Sequence, residues 1–237
     1  ACSFMADSAQ SILYAIEAFP PIDFHDAAEN PLYGYFGIAS GGPVLWVSEA
    51  CRRYTREDLA NDNLALQCLP GKGNKGNYVV FDQAIFDRFF GKNDDVKKAF
   101  YDAIKANGGG SIYQSDSLAD LAGRFNLDAD ALKAAVDRYN ELCGEGADGD
   151  FGKAAGLMVP IETPPFYLAK LSYNYFFSVG GITTDGRHRV LDGRRNPIEG
   201  LYAIGNDGNM LYRNVYTINM PGVAFGHQVN SGREAAN

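Results

Sequence analysis

The residues best arranged for chemistry lie between Gly200 and Ala236. A short apolar run, Leu201-Tyr202-Ala203-Ile204, delivers the chain to Gly205-Asn206-Asp207-Gly208, a turn where glycine backbone can approach a ligand closely. Further on, Met220-Pro221-Gly222-Val223 opens a helix through Ala236 whose first N–H groups lack intrahelical acceptors. Such an end favours an anion, or a carbonyl oxygen that gains negative charge during a reaction. Taken alone, the same pattern also describes a strand, a loop and a helix without a ligand.

Other candidates carry less. Gly71-Lys72-Gly73-Asn74-Lys75-Gly76 fits G-x-G-x-x-G, but it follows Leu69-Pro70 and precedes a strand, the reverse of a phosphate-binding strand–turn–helix, and reads as a loop. His25, His188 and His227 are scattered, and none is assigned a catalytic role. His188, flanked by Arg187 and Arg189, is expected to be solvated, as are Arg194 and Arg195. Cys2, Cys51, Cys68 and Cys143 form no C-x-x-C and have no histidine at metal spacing, so free thiols and no metal are expected. The 29 acidic and 21 basic residues give a net charge of −8, which argues against nucleic acid as a partner. No apolar run approaches the roughly 20 residues that span a bilayer. Cysteine usage leaves the compartment open between cytoplasmic and exported.

The elements that must position these residues follow from pattern. Residues 1–19 read as an amphipathic helix with Phe4, Met5, Ile12, Leu13 and Ile16 on its apolar positions, stopped by Pro20-Pro21. Residues 22–43 read as irregular connection. Strands are expected at Val44–Val47 and Tyr78–Phe81, then a helix capped by Asp82 and running through Phe90. Residues 94–106 are helical, ended by Gly108-Gly109-Gly110. Ser115-Asp116-Ser117 opens one helix, and Asp128 or one of its neighbours caps a second that buries Leu132, Val136, Tyr139 and Leu142 and ends at Gly144. From Pro164-Pro165 the chain turns β-rich, with turns at Asp185-Gly186 and Asp192-Gly193. Boundaries are expected near 45 and 163. With 46% hydrophobic residues there is material for a sizeable core.

Several segments, in order, resemble the fumarate reductase/succinate dehydrogenase flavoprotein family. Ser48 to Glu57 is similar to the motif that opens its capping domain. Ser117 to Ala122 and Ala135 to Asn140 are similar to its cap helices, and Gly146-Ala147-Asp148-Gly149-Asp150-Phe151-Gly152 to its G-x-D-x-D-F-G loop. Pro164 to Tyr167 and Val179 to Ile182 resemble the return to the FAD domain. Gly200 to Asn206 and Ser231 to Ala236 resemble its end.

The resemblance implies an α+β chain in which a helical and mixed capping domain (45–163) is inserted in the C-terminal part of a discontinuous FAD-binding α/β domain (1–44 and 164–237). It implies FAD as cofactor, hydride transfer at flavin N5 and a small unsaturated substrate. It also implies a fragment or split subunit, lacking the N-terminal FAD-binding segment with its glycine fingerprint; no electron donor is indicated. The family's substrate-clamping residues do not carry over. Phe177 stands in place of a histidine, Ala60 and Phe86 in place of arginines, and Arg88 and Arg213 lie near such positions without aligning. The expected substrate is therefore not fumarate, since a dicarboxylate needs cationic clamps. The loop from Tyr212 to Gly222 is more similar to that of ketosteroid dehydrogenases, which points to Tyr216 for the proton, assisted by Arg213; packing is the alternative role for Tyr216. Glu57 is carried over from the cap-opening motif as a catalytic candidate. Gly205, Asn206, Asp207, Met220, Pro221, Gly222 and Val223 are the cofactor-binding candidates. The backbone N–H groups from Tyr202 to Gly222 are expected to face a reduced isoalloxazine, and a plain turn is the alternative for Asn206 and Asp207. A cofactor-free binding module and a rewired fumarate reductase are the competing readings.

Overall fold

The computed structural model describes residues 9–10, 13–17, 41–62, 70–91, 94–174, 177–178, 180–208, 211 and 222–237. The strands are β1 (Ala9–Gln10), β2 (Leu13–Ile16), β3 (Leu45–Ser48), β4 (Asn77–Asp82), β5 (Ile112–Ser115), β6 (Phe166–Asn174), β7 (Phe177–Ser178), β8 (Arg189–Leu191) and β9 (Pro197–Tyr202). The helices are α1 (Leu59–Asp62), α2 (Gln83–Ile85, continued by a π turn over Phe86–Phe90), α3 (Asp94–Asn107), α4 (Leu118–Arg124), α5 (Ala129–Glu145) and α6 (Val223–Ala236). The architecture is mixed α+β with small antiparallel sheets. Contacts divide it into a larger unit, Leu13–Asn174, and a smaller one formed by Ala1–Ile12 and Tyr175–Asn237. The boundaries expected near 45 and 163 fall inside the larger unit, because β2 and the whole of β6 belong to its sheet.

In the larger unit β6 is the central strand. One edge pairs with β4, Asn77 to Asp82 opposite Leu171 to Phe166, and β3 extends the sheet beyond β4. The other edge carries β5 and then β2. All six residues of β4 are buried, so this strand is covered on both faces. The register places Phe81 opposite Tyr167, and their rings stack at 4.9 Å. Phe100 of α3 closes over Phe86 at 4.7 Å and Tyr167 at 5.8 Å.

Local chemistry sets the helices. Ser117 and Asp128 accept backbone N–H groups of Asp120 and Ala131, capping α4 and α5 as the sequence predicts. Leu132, Val136, Tyr139 and Leu142 are the buried face of α5. The helix runs one residue past the expected stop at Gly144 and ends on Gly146, whose left-handed φ of 72° suits glycine. Buried Asp82 does two jobs. One oxygen caps α2 at Ile85 N, and the other accepts Glu162 N and Thr163 N at 2.8 Å, fixing the approach to β6.

The helix expected over residues 1–19 is corrected where it is described: residues 9–10 and 13–16 are strands. Leu13–Ile16 pairs with Leu171–Asn174, a partner far along the chain that outweighs the local helical pattern.

In the smaller unit, β1 pairs with β7 and β8 with β9, both antiparallel. Asp185 caps the first predicted turn by accepting Arg187 N and Arg189 N, and Asp192 caps the second by accepting Arg194 N and Asn196 N.

Candidate functional site

The turn at Gly205–Asp207 is one tight 3-10 turn at the end of β9. Gly181 and Gly208 allow backbone to meet backbone there, and Gly205 lets a side chain close on it. A Cβ on Gly181, at φ +67°, would lie 2.5 Å from Asp207 O, one on Gly208 2.5 Å from Ala203 O, and one on Gly205 2.9 Å from Gln228 Cγ. Ile182 N donates to Asp207 O at 2.7 Å. The N–H groups of the turn serve the fold. Gly205 N donates to Ser231 Oγ at 2.9 Å, and Asp207 N and Gly208 N donate to Ile204 O at 3.2 and 3.4 Å. The expectation that these three amides face a flavin is thereby corrected: the short turn uses them to close itself and to dock α6. Asn206 is half-buried and Asp207 exposed.

The start of α6 differs. Gly222, at φ 85°, is its N-cap, no side chain among the described residues caps it, and the helical ladder begins with Gly226 N donating to Gly222 O at 2.8 Å. The N–H groups of Val223, Ala224 and Phe225 therefore have no intrahelical acceptor, so this end can receive an oxygen with negative character. Arg213, Tyr216, Met220 and Pro221 lie outside the described residues.

Glu57 is placed in the larger unit with 0% side-chain exposure. Its oxygens accept Arg53 Nε and Nη2 at 2.9 Å each, Trp46 N at 3.2 Å, and Lys153 Nζ at 3.2 Å. Arg53 also grips Asp148 through Nη1 and Nη2 at 2.9 and 2.8 Å, between the rings of Tyr139 and Phe151. Lys153 Nζ donates to Val44 O at 2.6 Å and Tyr139 Oη at 2.9 Å. Two cations and two carboxylates thus share one buried, neutral cluster. Burial pulls the Lys153 ammonium below its ordinary range, against the opposing pull of Glu57. Burial acts to raise Asp148, but the Arg53 hydrogen bonds and backbone donors outweigh it and bring Asp148 down to about 2.

The cluster joins the cap-opening motif to the G-x-D-x-D-F-G loop. Sequence reasoning named Glu57 and missed Arg53, Asp148 and Lys153, although the charged residues of those two motifs were the available signal. Of the residues expected to stand where the family has clamps, Phe86 is buried in the aromatic core and Ala60 is half-buried in α1; Arg88, expected near such a position, is exposed over the Phe89 ring. Nothing is described for the side chain of Phe177.

His188 is corrected from solvated to buried, at 6% exposure, because α6 covers it: its Nε2 lies 3.1 Å from Glu234 Oε2 and its ring 5.8 Å from that of His227. Arg194 and Arg195 are exposed, as expected. Among the described residues no His, Cys, Asp or Glu side chains are grouped to hold a metal ion, and no helix is long and apolar enough to cross a membrane.

Residues 36–218 match the family model described as "FAD binding domain". The chain is 30% identical over 208 residues to the vinyl phenol reductase of Lactiplantibacillus plantarum, covering 81% of this chain and 42% of that protein. It is 32% identical over 157 residues to a 3-oxosteroid 1-dehydrogenase of Mycobacterium tuberculosis, covering 58% of this chain and 27% of the relative. Among solved structures it is similar to the 3-ketosteroid delta1-dehydrogenase of Sterolibacterium denitrificans, with a TM-score of 0.65 and 22% identity, over 98% of this chain and 44% of that one. The chain thus spans less than half the length of these relatives. It belongs to the FAD binding domain family of flavoprotein oxidoreductases, the one that includes fumarate reductases and 3-ketosteroid dehydrogenases.

Proposed function

We propose that this chain forms the capping part and one flavin-facing wall of an FAD-dependent oxidoreductase that saturates or desaturates an activated C–C bond. Residues 45–163 act as the cap, and residues 1–44 and 164–237 belong to the FAD-binding part. The observation that carries the reading is the α6 N-terminus. Its first N–H groups lack intrahelical acceptors and come directly after the loop that bears Arg213 and Tyr216. These N–H groups suit an oxygen that gains negative charge, as a flavin carbonyl does on reduction. The amides of Gly205, Asp207 and Gly208 do not fit that task, so the turn contributes shape, with Asn206 and the exposed Asp207 left to meet polar parts of the cofactor.

FAD, when bound, supplies hydride acceptance and donation at N5. Tyr216 moves the proton on the neighbouring carbon, and Arg213 stabilises its phenolate. Met220, Pro221, Gly222 and Val223 form the helix start that faces the ring. Glu57, with its oxygens engaged by Arg53, Lys153 and Trp46, acts by holding the cap together rather than by touching substrate. The substrate is an unsaturated, apolar or aromatic compound rather than fumarate, because Phe177, Ala60 and Phe86 occupy the positions where clamps would stand. Relatives named as reductases of vinyl phenol and urocanate support that class.

The adenine and pyrophosphate contacts come, in this reading, from polypeptide outside residues 1–237. Phe225 and Val229, exposed at 72% and 56% on one side of α6, suit burial against such a partner.

The test is Tyr216→Phe in the flavin-loaded protein. Turnover of an enone or vinyl arene should fall about 10²–10⁴-fold with flavin absorbance retained. Unchanged turnover rejects Tyr216, and a protein that takes up no flavin from its own host rejects the redox reading.

A further inference from the structure

Among the described residues, the hydrophobic core lies wholly in the larger unit, between Val44 and Leu171. The smaller unit buries the apolar side chains of Val190 and Ala203, and its other buried side chains are polar: Thr184, His188 and Ser231. An amphipathic helix ordinarily turns its apolar side inward. Helix α6 does the reverse. Gln228 packs against Gly205, Ser231 Oγ accepts Gly205 N at 2.9 Å, and Glu234 lies 3.1 Å from His188. Phe225 and Val229, one turn apart, stay exposed at 72% and 56%. Gly222 and Gly226 share their face by helical spacing, and a Cβ on either would meet no atom within 4 Å. At the far end of this stripe, a Cβ on Gly232 would lie 3.5 Å from Ile204 Cδ1, and Ile204 is itself exposed. Ile204 joins the stripe to β9, where Ile198, Leu201 and Tyr202 are exposed along with the rest of the strand. Among the described residues β9 pairs with β8 alone. A lone two-stranded hairpin and a short helix are each marginal in water without a packed apolar layer.

We propose that the smaller unit completes its packing by docking a further polypeptide layer on this surface: Phe225 and Val229 of α6, Ile204, and Ile198, Leu201 and Tyr202 of β9. The occupant is the remainder of the FAD-binding part, a choice that rests on the functional reading above. More than half of the vinyl phenol reductase and of the solved ketosteroid dehydrogenase lies outside the match to this chain, which leaves enough polypeptide to form such a layer. Exposed apolar surface of this kind marks an interaction site, because a protein that stands alone rarely leaves it open. The larger unit has its own core and does not depend on the docking. The chain therefore has two tiers of stability, and the lower tier belongs to the unit that carries the α6 N-terminus.

Two samples test this: the 237-residue chain expressed alone, and the protein isolated from its own host. In the chain alone, amides of β9 and α6 should exchange at least about 100-fold faster than those of α5. The host protein should contain additional polypeptide, identified by its sequence as corresponding to the unmatched part of the vinyl phenol reductase. There, exchange in β9 and α6 should slow by about tenfold or more relative to the chain alone. Phe225→Asp with Val229→Asp should abolish that slowing and leave the Trp46 urea midpoint of the larger unit within about 0.3 M. Protection of β9 and α6 equal to that of α5 in the chain alone overturns the proposal, and so does slowing that survives the two aspartates. A dimer of the 237-residue chain that buries Phe225 assigns the surface to a second copy and overturns it as well. Host protein that has the additional polypeptide and the slowed exchange but no flavin rejects the redox reading and leaves the docking surface in place. Flavin-loaded protein made of the 237 residues alone does the opposite.

Discussion

Arg53→Met is the most informative perturbation of the buried cluster. Methionine keeps much of the side-chain stem and removes the guanidinium, with its two contacts to Glu57 at 2.9 Å and two to Asp148 at 2.9 and 2.8 Å. The cluster then passes from neutral to a charge of −1, with Lys153 the remaining cation and side-chain exposures of 0% for Glu57, Asp148 and Lys153. Removing one partner of a buried pair costs about 3–5 kcal/mol. The lost stacking on Tyr139 and Phe151 adds about 0.5–1 kcal/mol each. With a urea slope of about 2–3 kcal/mol/M, the midpoint of the larger unit should fall by roughly 1.3–3.5 M. The single tryptophan reports it, because Trp46 is fully buried and its backbone N–H reaches Glu57. Adding Glu57→Gln restores neutrality and should make the double variant at least about 1 kcal/mol more stable than the sum of the single losses. A midpoint shift below about 0.3 M, or strict additivity, refutes the view that these charges act as one unit.

The same geometry sets two further outcomes. Asp148 sits at about 2 when folded against an ordinary 3.8, so its contribution is fully present above the higher value and is lost as pH falls through the lower one. That contribution is about 2 kcal/mol, and the Trp46 urea midpoint should drop across this acid window, with a shallower drop in Asp148→Asn; equal slopes would remove Asp148 as the cause. In the smaller unit, Gly181→Ala places a methyl 2.5 Å from Asp207 O at a left-handed φ and should cost about 2 kcal/mol or more, read as faster amide exchange in α6. Gly186→Ala, with no atom within 4 Å of the added methyl, should stay within about 0.5 kcal/mol, and equal effects at the two sites would refute the steric argument.

The features legible in the sequence were those that local chemistry decides. The helix pair α4–α5 announces itself because Ser117 and Asp128 each stand where a side-chain oxygen can cap the next turn, and because Leu132, Val136, Tyr139 and Leu142 keep helical spacing. The reversed G-x-G-x-x-G could be discounted for the same reason: its neighbours show that it leads into β4. Leu13–Ile16 could not be read this way. Its apolar residues suit a helix as well as a strand, and the choice is made by β6, which is more than 150 residues away. The fate of His188 was hidden likewise, because its neighbours in sequence are arginines and the residue that covers it is Glu234.

The site shows the same division at higher cost. Motifs supplied Glu57 as a candidate and contained Arg53 and Asp148 without singling them out; only the fold shows that Arg53 binds both carboxylates and that Lys153 completes the charge balance. A carboxylate found by motif is thus not yet a catalyst. Buried against a guanidinium and an ammonium, both Glu57 oxygens are engaged by protein donors, a setting that the motif alone does not disclose. Gly222 was legible from the start. Pro221-Gly222 reads in sequence as a helix entry with free N–H groups, and the structure keeps it so: the amides of Val223 to Phe225 have no intrahelical acceptor and, among the described residues, no side chain caps them. Local sequence thus announces a helix end that follows from the backbone alone, whereas the partners of a buried carboxylate depend on residues that only the fold brings together.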